Sequence, residues 1–186
     1  DRAKPAVTAV APRSAKALRI DLYHTGDAKE ETYSLDEARI EPYWAGNPRG
    51  LLDTLNLGNC ILRVFDLKSN VMIYSRGYST LFDEWKTTDE AIAGLHRTFH
   101  ESLIVPLPKA PVQIRIEARD RKNVFKPVYD LVVDPADYHV STERRNFGFR
   151  TRQLLDGGPP PDKVDIVILG DGYDQDETHK LRGDAE

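Results

Sequence analysis

Val164-Asp165-Ile166-Val167-Ile168-Leu169-Gly170-Asp171-Gly172-Tyr173 is a β-branched, almost unbroken apolar run that ends in a Gly-Asp-Gly turn. A strand apolar on both faces is covered on both faces, as in the parallel sheet of an α/β domain. The spacing predicts a helix directly after it. Asp174 caps that helix, and Glu177, three residues on, reaches back to the cap and complements the dipole. Strand, tight turn and helix open an α/β unit, yet one strand cannot bury two faces by itself. Either this piece docks on the domain before it, or the chain is the front part of a longer protein. The second reading is preferred.

Just upstream, Gly157-Gly158-Pro159-Pro160-Pro161 has the composition of a domain boundary, stiffened by proline toward its end. Residues 137–161 as a whole read as a linker. Within it, Arg144-Arg145-Asn146-Phe147-Gly148-Phe149-Arg150-Thr151-Arg152 interleaves bases with aromatics, a composition also found where single-stranded nucleic acid stacks. It is short and stands alone in an acidic chain, so it reads as a connector whose phenylalanines dock on a neighbouring domain.

Upstream of the linker the pattern changes to short alternating strands. Leu18, Ile20 and Leu22 alternate with Arg19, Asp21 and Tyr23 up to a Thr25-Gly26-Asp27 turn. Residues 31–44 predict two short strands around Ser34 to Glu37, with Pro42 at an edge or bend. Residues 60–67 and 71–75 form a hairpin across Lys68-Ser69-Asn70. A strand is expected over 97–105. Val112, Ile114, Ile116 and Ala118 alternate with Gln113, Arg115, Glu117 and Arg119, and a return strand carries Phe125, Tyr129, Leu131 and Val133. Such repetition indicates an antiparallel β-sandwich over residues 17–136. Residues 1–16, rich in Ala and Pro, are expected to be a flexible tail. The fold class is therefore mainly β: a sandwich followed by the first strand and helix of an α/β domain.

Tyr74 to Trp85 is the most aromatic stretch of the chain. The simpler reading is a strand that leaves its sheet through Gly77 and wedges Phe82 and Trp85 against the core. The sharper one makes Tyr78 and Trp85 a surface on which sugars or peptides stack. Thr87-Thr88-Asp89-Glu90 then caps a short helix over 91–95. His96 and His100 stand four apart, but a zinc-protease helix needs His-Glu-x-x-His, and the second position here is Arg97. No metal is assigned to them. His24, His139 and His179 show no ligand spacing and read as exposed or hydrogen-bonded. Gly170-Asp171-Gly172 lacks the third glycine of a dinucleotide fingerprint, since Gln175 stands there. Asp171 at a strand end is at most a site residue of an open α/β sheet, and a turn residue first. No nucleophile, triad or carboxylate pair emerges, so no catalytic, cofactor-binding or metal residue is assigned.

Over 186 residues, 40% hydrophobic and 30% charged with a net charge of -4, the chain is ordinary for a soluble globular protein and gives no reason to expect nucleic acid or a membrane surface. Its single cysteine, Cys60, excludes an intramolecular disulfide. No apolar run approaches the roughly 18 to 20 residues of a membrane span.

Three stretches, IYSRGYSTLFDEW (73–85), FHESLIVPLP (99–108) and VDIVILGDGY (164–173), resemble the N-terminal part of the bacterial IgA-peptidase-like zinc metallopeptidases, peptidase family sixty-four. The resemblance implies a β-sandwich N-terminal domain before an α/β catalytic domain that begins near Asp162, of which residues 162–186 are the start. Its zinc, held by a His-Glu-x-x-His helix and a third ligand, would lie beyond Glu186. It also implies a secreted, periplasmic or cell-surface bacterial protein. On this reading the chain is a non-catalytic accessory domain whose partners are its own downstream catalytic domain and a protein or glycan substrate. Tyr78, Trp85, Asp171 and Tyr173 are its candidate surface or domain-contact residues. The alternative is a stand-alone β-sandwich module that binds glycan or peptide.

Overall fold

The computed structural model describes residues 16–143, 153–158, 163–164, 166–174 and 176–185. The N-terminal stretch 1–15, the Arg/Phe connector 144–152 and the proline run 159–161, together with Asp165 and Gln175, lie outside the described residues.

The alternation at the start of the chain folds as expected. In β1 (Ala17–Gly26) Leu18, Ile20 and Leu22 are buried. Its hairpin partner β2 (Glu31–Glu41) is one strand, where two short ones were expected. Asp21 pairs with Glu37 and Leu22 with Leu35, so Asp36 is an extra residue on β2. A bulge of this kind reverses the inward and outward phase midway along a strand, and the sequence pattern mimics a break. On the other side of β1 lies β5 (Arg97–Pro106), and β8 (Val140–Ser141) adds to β2 in parallel. The first sheet therefore runs β5-β1-β2-β8, and part of the expected linker belongs to it. Val140 is buried in the core, which gives that short strand its hold.

The second sheet is the antiparallel set β3 (Cys60–Asp66), β4 (Met72–Tyr78), β6 (Val112–Arg119) and β7 (Phe125–Val133), in the order β4-β3-β6-β7. Both hairpin turns are built by an Asp and an Asn. The Asp66 carboxylate accepts from the Ser69 backbone N–H at 2.7 Å, and Asp120 accepts from Lys122 and Val124 at 2.8 and 3.0 Å. Asn70 and Asn123 take left-handed backbone angles, φ 55° and 62°, which asparagine tolerates better than most residues. Pro127 sits on the edge strand at a register shift, where a missing N–H interrupts no ladder. The inner faces of the two sheets meet in a single core: Leu18, Ile20 and Leu22 from one, Leu62, Val64, Ile114 and Ile116 from the other. That is the antiparallel sandwich the sequence predicts. Each such side chain contributes roughly 1.5–3 kcal/mol by leaving water.

Between β4 and β5 the chain makes two short helices, α1 (Leu81–Trp85) and α2 (Asp89–Ile92). Thr80 and Thr88 cap them, each hydroxyl accepting a backbone N–H at 3.3 Å. Phe82 and Trp85 are buried with Ala91 and, partly, Phe99. Phe82 and Trp85 turn inward as the wedge reading has it, but β4 does not leave its sheet at Gly77: Gly77 and Tyr78 still pair with Ile61 and Cys60.

The chain divides into two compact units, Asp1–Arg144 and Arg145–Glu186. In the second, α3 (Thr178–Ala185) begins later than expected, and the Asp174–Glu177 pair forms a turn ahead of it instead of the cap itself. Asp174 Oδ1 accepts from the backbone of Asp176 and Glu177, and Glu177 Oε2 accepts from the Asp174 N–H at 3.3 Å. Gly172, at φ 79°, supplies the left-handed turn. The apolar run before it is not the expected strand, since none of its described residues is in a ladder. Its side chains are bare, with Ile166 83% and Leu169 86% exposed. A strand exists only by bonding to a neighbour, and among the described residues this run meets none.

Candidate functional site

One end of the sandwich is polar inside. His24 occupies the next inward position of β1 after Leu18, Ile20 and Leu22, and it is as buried as they are. Its ring is stacked against Tyr33 and Phe82, each with ring centroids 3.9 Å away. Two rings cannot share one face at that distance, so the imidazole is sandwiched between them. Its Nδ1 lies 2.8 Å from Glu101 Oε1 on β5, and its Nε2 lies 3.1 Å from Glu31 Oε2 on β2. Three adjacent strands thus converge on one ring.

The electrostatics follow from that geometry. Burial alone would push the imidazole down, but the hydrogen bonds to Glu101 and Glu31 outweigh it and hold His24 above its ordinary value. The bond from His24 holds Glu31 below the usual carboxylate range against its own burial. Desolvation pushes the Tyr33 and Tyr78 hydroxyls up, with the charges of Glu101 and Glu31 adding to it, and it pushes the Cys60 thiol up to about 12. Lys86 Nζ pairs with Asp83 Oδ1 at 2.6 Å. Among the described residues, the Tyr33 and Tyr78 hydroxyls, Asp83 Oδ2 and Glu101 Oε2 are buried without a hydrogen-bond partner. Buried polar groups are normally satisfied, and clusters of shifted ionisable groups collect at functional sites.

A second feature is an open groove of about 700 Å³ where the 43–55 loop lies over β4, lined by Tyr43, Trp44, Leu52, Leu55, Arg76 and Ile104. Asp53 pins this loop, its carboxylate accepting the backbone N–H groups of Leu55, Asn56 and Gly77 at 2.8 Å each. A side chain at Gly77 would collide with the Leu57 carbonyl, so the close approach of loop and strand requires glycine there. Tyr43 stands 76% exposed at the groove.

Residues 11–130 match the family model described as Peptidase M64 N-terminus. The chain belongs to that family. No curated protein matches it. The matched residues of this M64 N-terminal chain span β1 to β6 and most of β7, and two of the three resembling stretches, 73–85 and 99–108. The third, 164–173, lies outside the match.

The residues singled out from the sequence separate in this M64 N-terminal chain. Tyr78 and Trp85 fall beside the polar end, but the stacking surface proposed for them is not there. Trp85 is only 5% exposed, its indole N–H donates to the Gly26 carbonyl at 3.2 Å, and Arg97 covers its ring at 4.3 Å. Tyr78 is half-buried with its hydroxyl inside. The reason is packing: two short helices can close the end of a sandwich only by turning their large rings inward. Asp171 is exposed, and the Tyr173 hydroxyl donates to Asp184 Oδ2 at 2.8 Å within the second unit. His96 lies 3.4 Å from Asp27 and from Glu30, while His100 lies 3.1 Å from Asp36. The zinc that the resemblance implies belongs to residues past Glu186, and none of these histidines was assigned to it. Among the described residues no three His, Cys, Asp or Glu side chains form a metal-binding group.

His24, Glu31, Tyr33 and Glu101 were missed from the sequence. The available signal was phase. His24 continues the Leu18-Ile20-Leu22 series, and Glu101 stands in step with Leu103 and Val105, so both are titratable groups on a buried face.

Proposed function

We propose that this chain is the non-catalytic accessory domain of a secreted zinc metallopeptidase of the IgA-peptidase-like kind, and that it packs on the catalytic domain and helps present protein substrate. Residues 17–141, with β8 included, are the accessory sandwich, and 162–186 begin the α/β catalytic domain. The observation that carries this reading is the bare run at 164–169. Val164, Ile166, Val167, Ile168 and Leu169 are all exposed, although a β-branched run apolar on both faces is stable only under cover on both sides. The M64 N-terminus match supports the same reading. Residues 1–186 are expected to cleave no casein with or without added zinc. They are also expected to bind the dye ANS through the bare run, with binding at least halved by Ile166→Lys with Ile168→Lys. Zinc-dependent cleavage, or dye binding that ignores the substitutions, sinks the proposal.

A second reading, a glycan- or peptide-binding module, is favoured by the groove and its exposed Tyr43. Tyr43→Ala separates the two. Saturable binding on a glycan or peptide array that this substitution abolishes supports the module, and its absence supports the accessory role. Because Tyr43 is exposed, the change should leave stability within about 0.5 kcal/mol.

A further inference from the structure

The buried imidazole of His24 has carboxylates at both nitrogens, at 2.8 and 3.1 Å. A neutral imidazole has one N–H and would turn a lone pair on the second carboxylate, whereas the imidazolium satisfies both. The same ring is the platform on which Phe82 of α1 lies. The α1–α2 segment is otherwise tied to the β1–β2 turn by two bonds, Trp85 Nε1–H to the Gly26 carbonyl and the Ala28 N–H to the Ala91 carbonyl at 3.3 Å. We propose that His24 is a protonation latch: as the imidazolium it bridges Glu31 and Glu101 and holds the α1–α2 plug on this end of the sandwich, and loss of its proton to solvent releases the plug.

The groups around the ring leave His24 as the one that switches. Glu31 and Tyr33 face it from β2, Glu101 from β5 and Phe82 from α1, with Asp83 and Lys86 at that helix, Cys60 on β3 and Tyr78 on β4 making up the rest of the polar end. Burial pushes the Cys60 thiol to about 12 and the two tyrosines upward, so none of them changes charge near neutrality. Lys86 is also held above its ordinary value: burial works against it, and the Asp83 hydrogen bond prevails. Deprotonating His24 leaves three carboxylates, Glu31, Glu101 and Asp83, facing one ammonium in a space that solvates them poorly. Because the imidazole is held above its ordinary 6.5, the latch is fully closed below that pH and opens as pH rises through the raised value.

The test uses the 186-residue chain labelled with ¹⁵N and followed by NMR from pH 5.5 to 9.5. The His24 ring resonances report the proton, and the Trp85 indole N–H reports the plug. The expected result is a His24 midpoint above 6.5 and, after correction for base catalysis, indole exchange that accelerates at least about fivefold through that midpoint. Glu101→Gln should lower both midpoints together. A His24 midpoint at or below 6.5, or indole exchange with no step at that midpoint, overturns the proposal. So does a Glu101→Gln variant in which only one midpoint moves.

Discussion

Phe82→Ala should destabilise the sandwich by about 3–5 kcal/mol and lower its melting temperature by about 10 °C or more. The ring is fully buried, meets Phe99 edge-on with centroids 6.1 Å apart and an 82° interplanar angle, and stacks on His24. Its removal leaves a cavity beneath a five-residue helix, among Trp85, Ala91, Phe99 and His24. Loss of the ring also uncovers one face of a buried imidazolium, which adds an electrostatic cost to the cavity. Thermal unfolding followed by circular dichroism measures it. A loss below about 1 kcal/mol would mean that the plug contributes little to the fold. Leu81→Ala next door, on an exposed side chain, is the control and should change stability by less than about 0.5 kcal/mol.

His24→Leu should cost about 3–5 kcal/mol near neutral pH, although it replaces a polar core residue with an apolar one of similar size. The loss comes from what stays behind. The Glu31 and Glu101 side chains are 24% and 12% exposed, and the substitution takes away the cation they share. The sign with pH is specific. The His24 contribution is complete below 6.5 and declines as pH rises through its raised value. The Glu31 contribution is complete above 4.5 and declines as pH falls through its depressed value. The difference between wild type and variant is therefore largest between about pH 4.5 and 6.5 and narrows on both sides. Denaturant melts at pH 3, 5.5 and 9.5 measure it. Adding Glu101→Leu should recover part of the loss, because an apolar replacement of both partners removes the stranded charge. A difference that is flat across the three pH values would show that the triad acts through shape alone.

The sequence and the structure agree most closely where one rule acted alone. Strict alternation in β1 and β6, with Asp and Asn at the hairpin turns, places strands to within a residue or two. They part where a local pattern had two causes. The irregular 31–41 segment looks like two strands because the Asp36 bulge reverses the phase, and bulges are fixed by the partner strand. Trp85 carries the same composition whether it lines a surface or fills a core, and only the direction of α1 decided for the core. The polar end was hidden for a similar reason. His24, Glu31 and Glu101 lie up to 77 residues apart, and only strand register brings them to one ring.

By itself the sequence determined the sandwich class, the reciprocal Asp174–Glu177 turn ahead of α3 and the presence of an apolar run at 164–169, because each of these depends on residues near one another in the chain. Tertiary structure alone decided that β8 joins the first sheet, that the aromatic stretch turns inward, and that an imidazole is clamped between two carboxylates. Those outcomes depend on pairing between distant segments and on the field inside a closed space, and neither is encoded in any single stretch of residues.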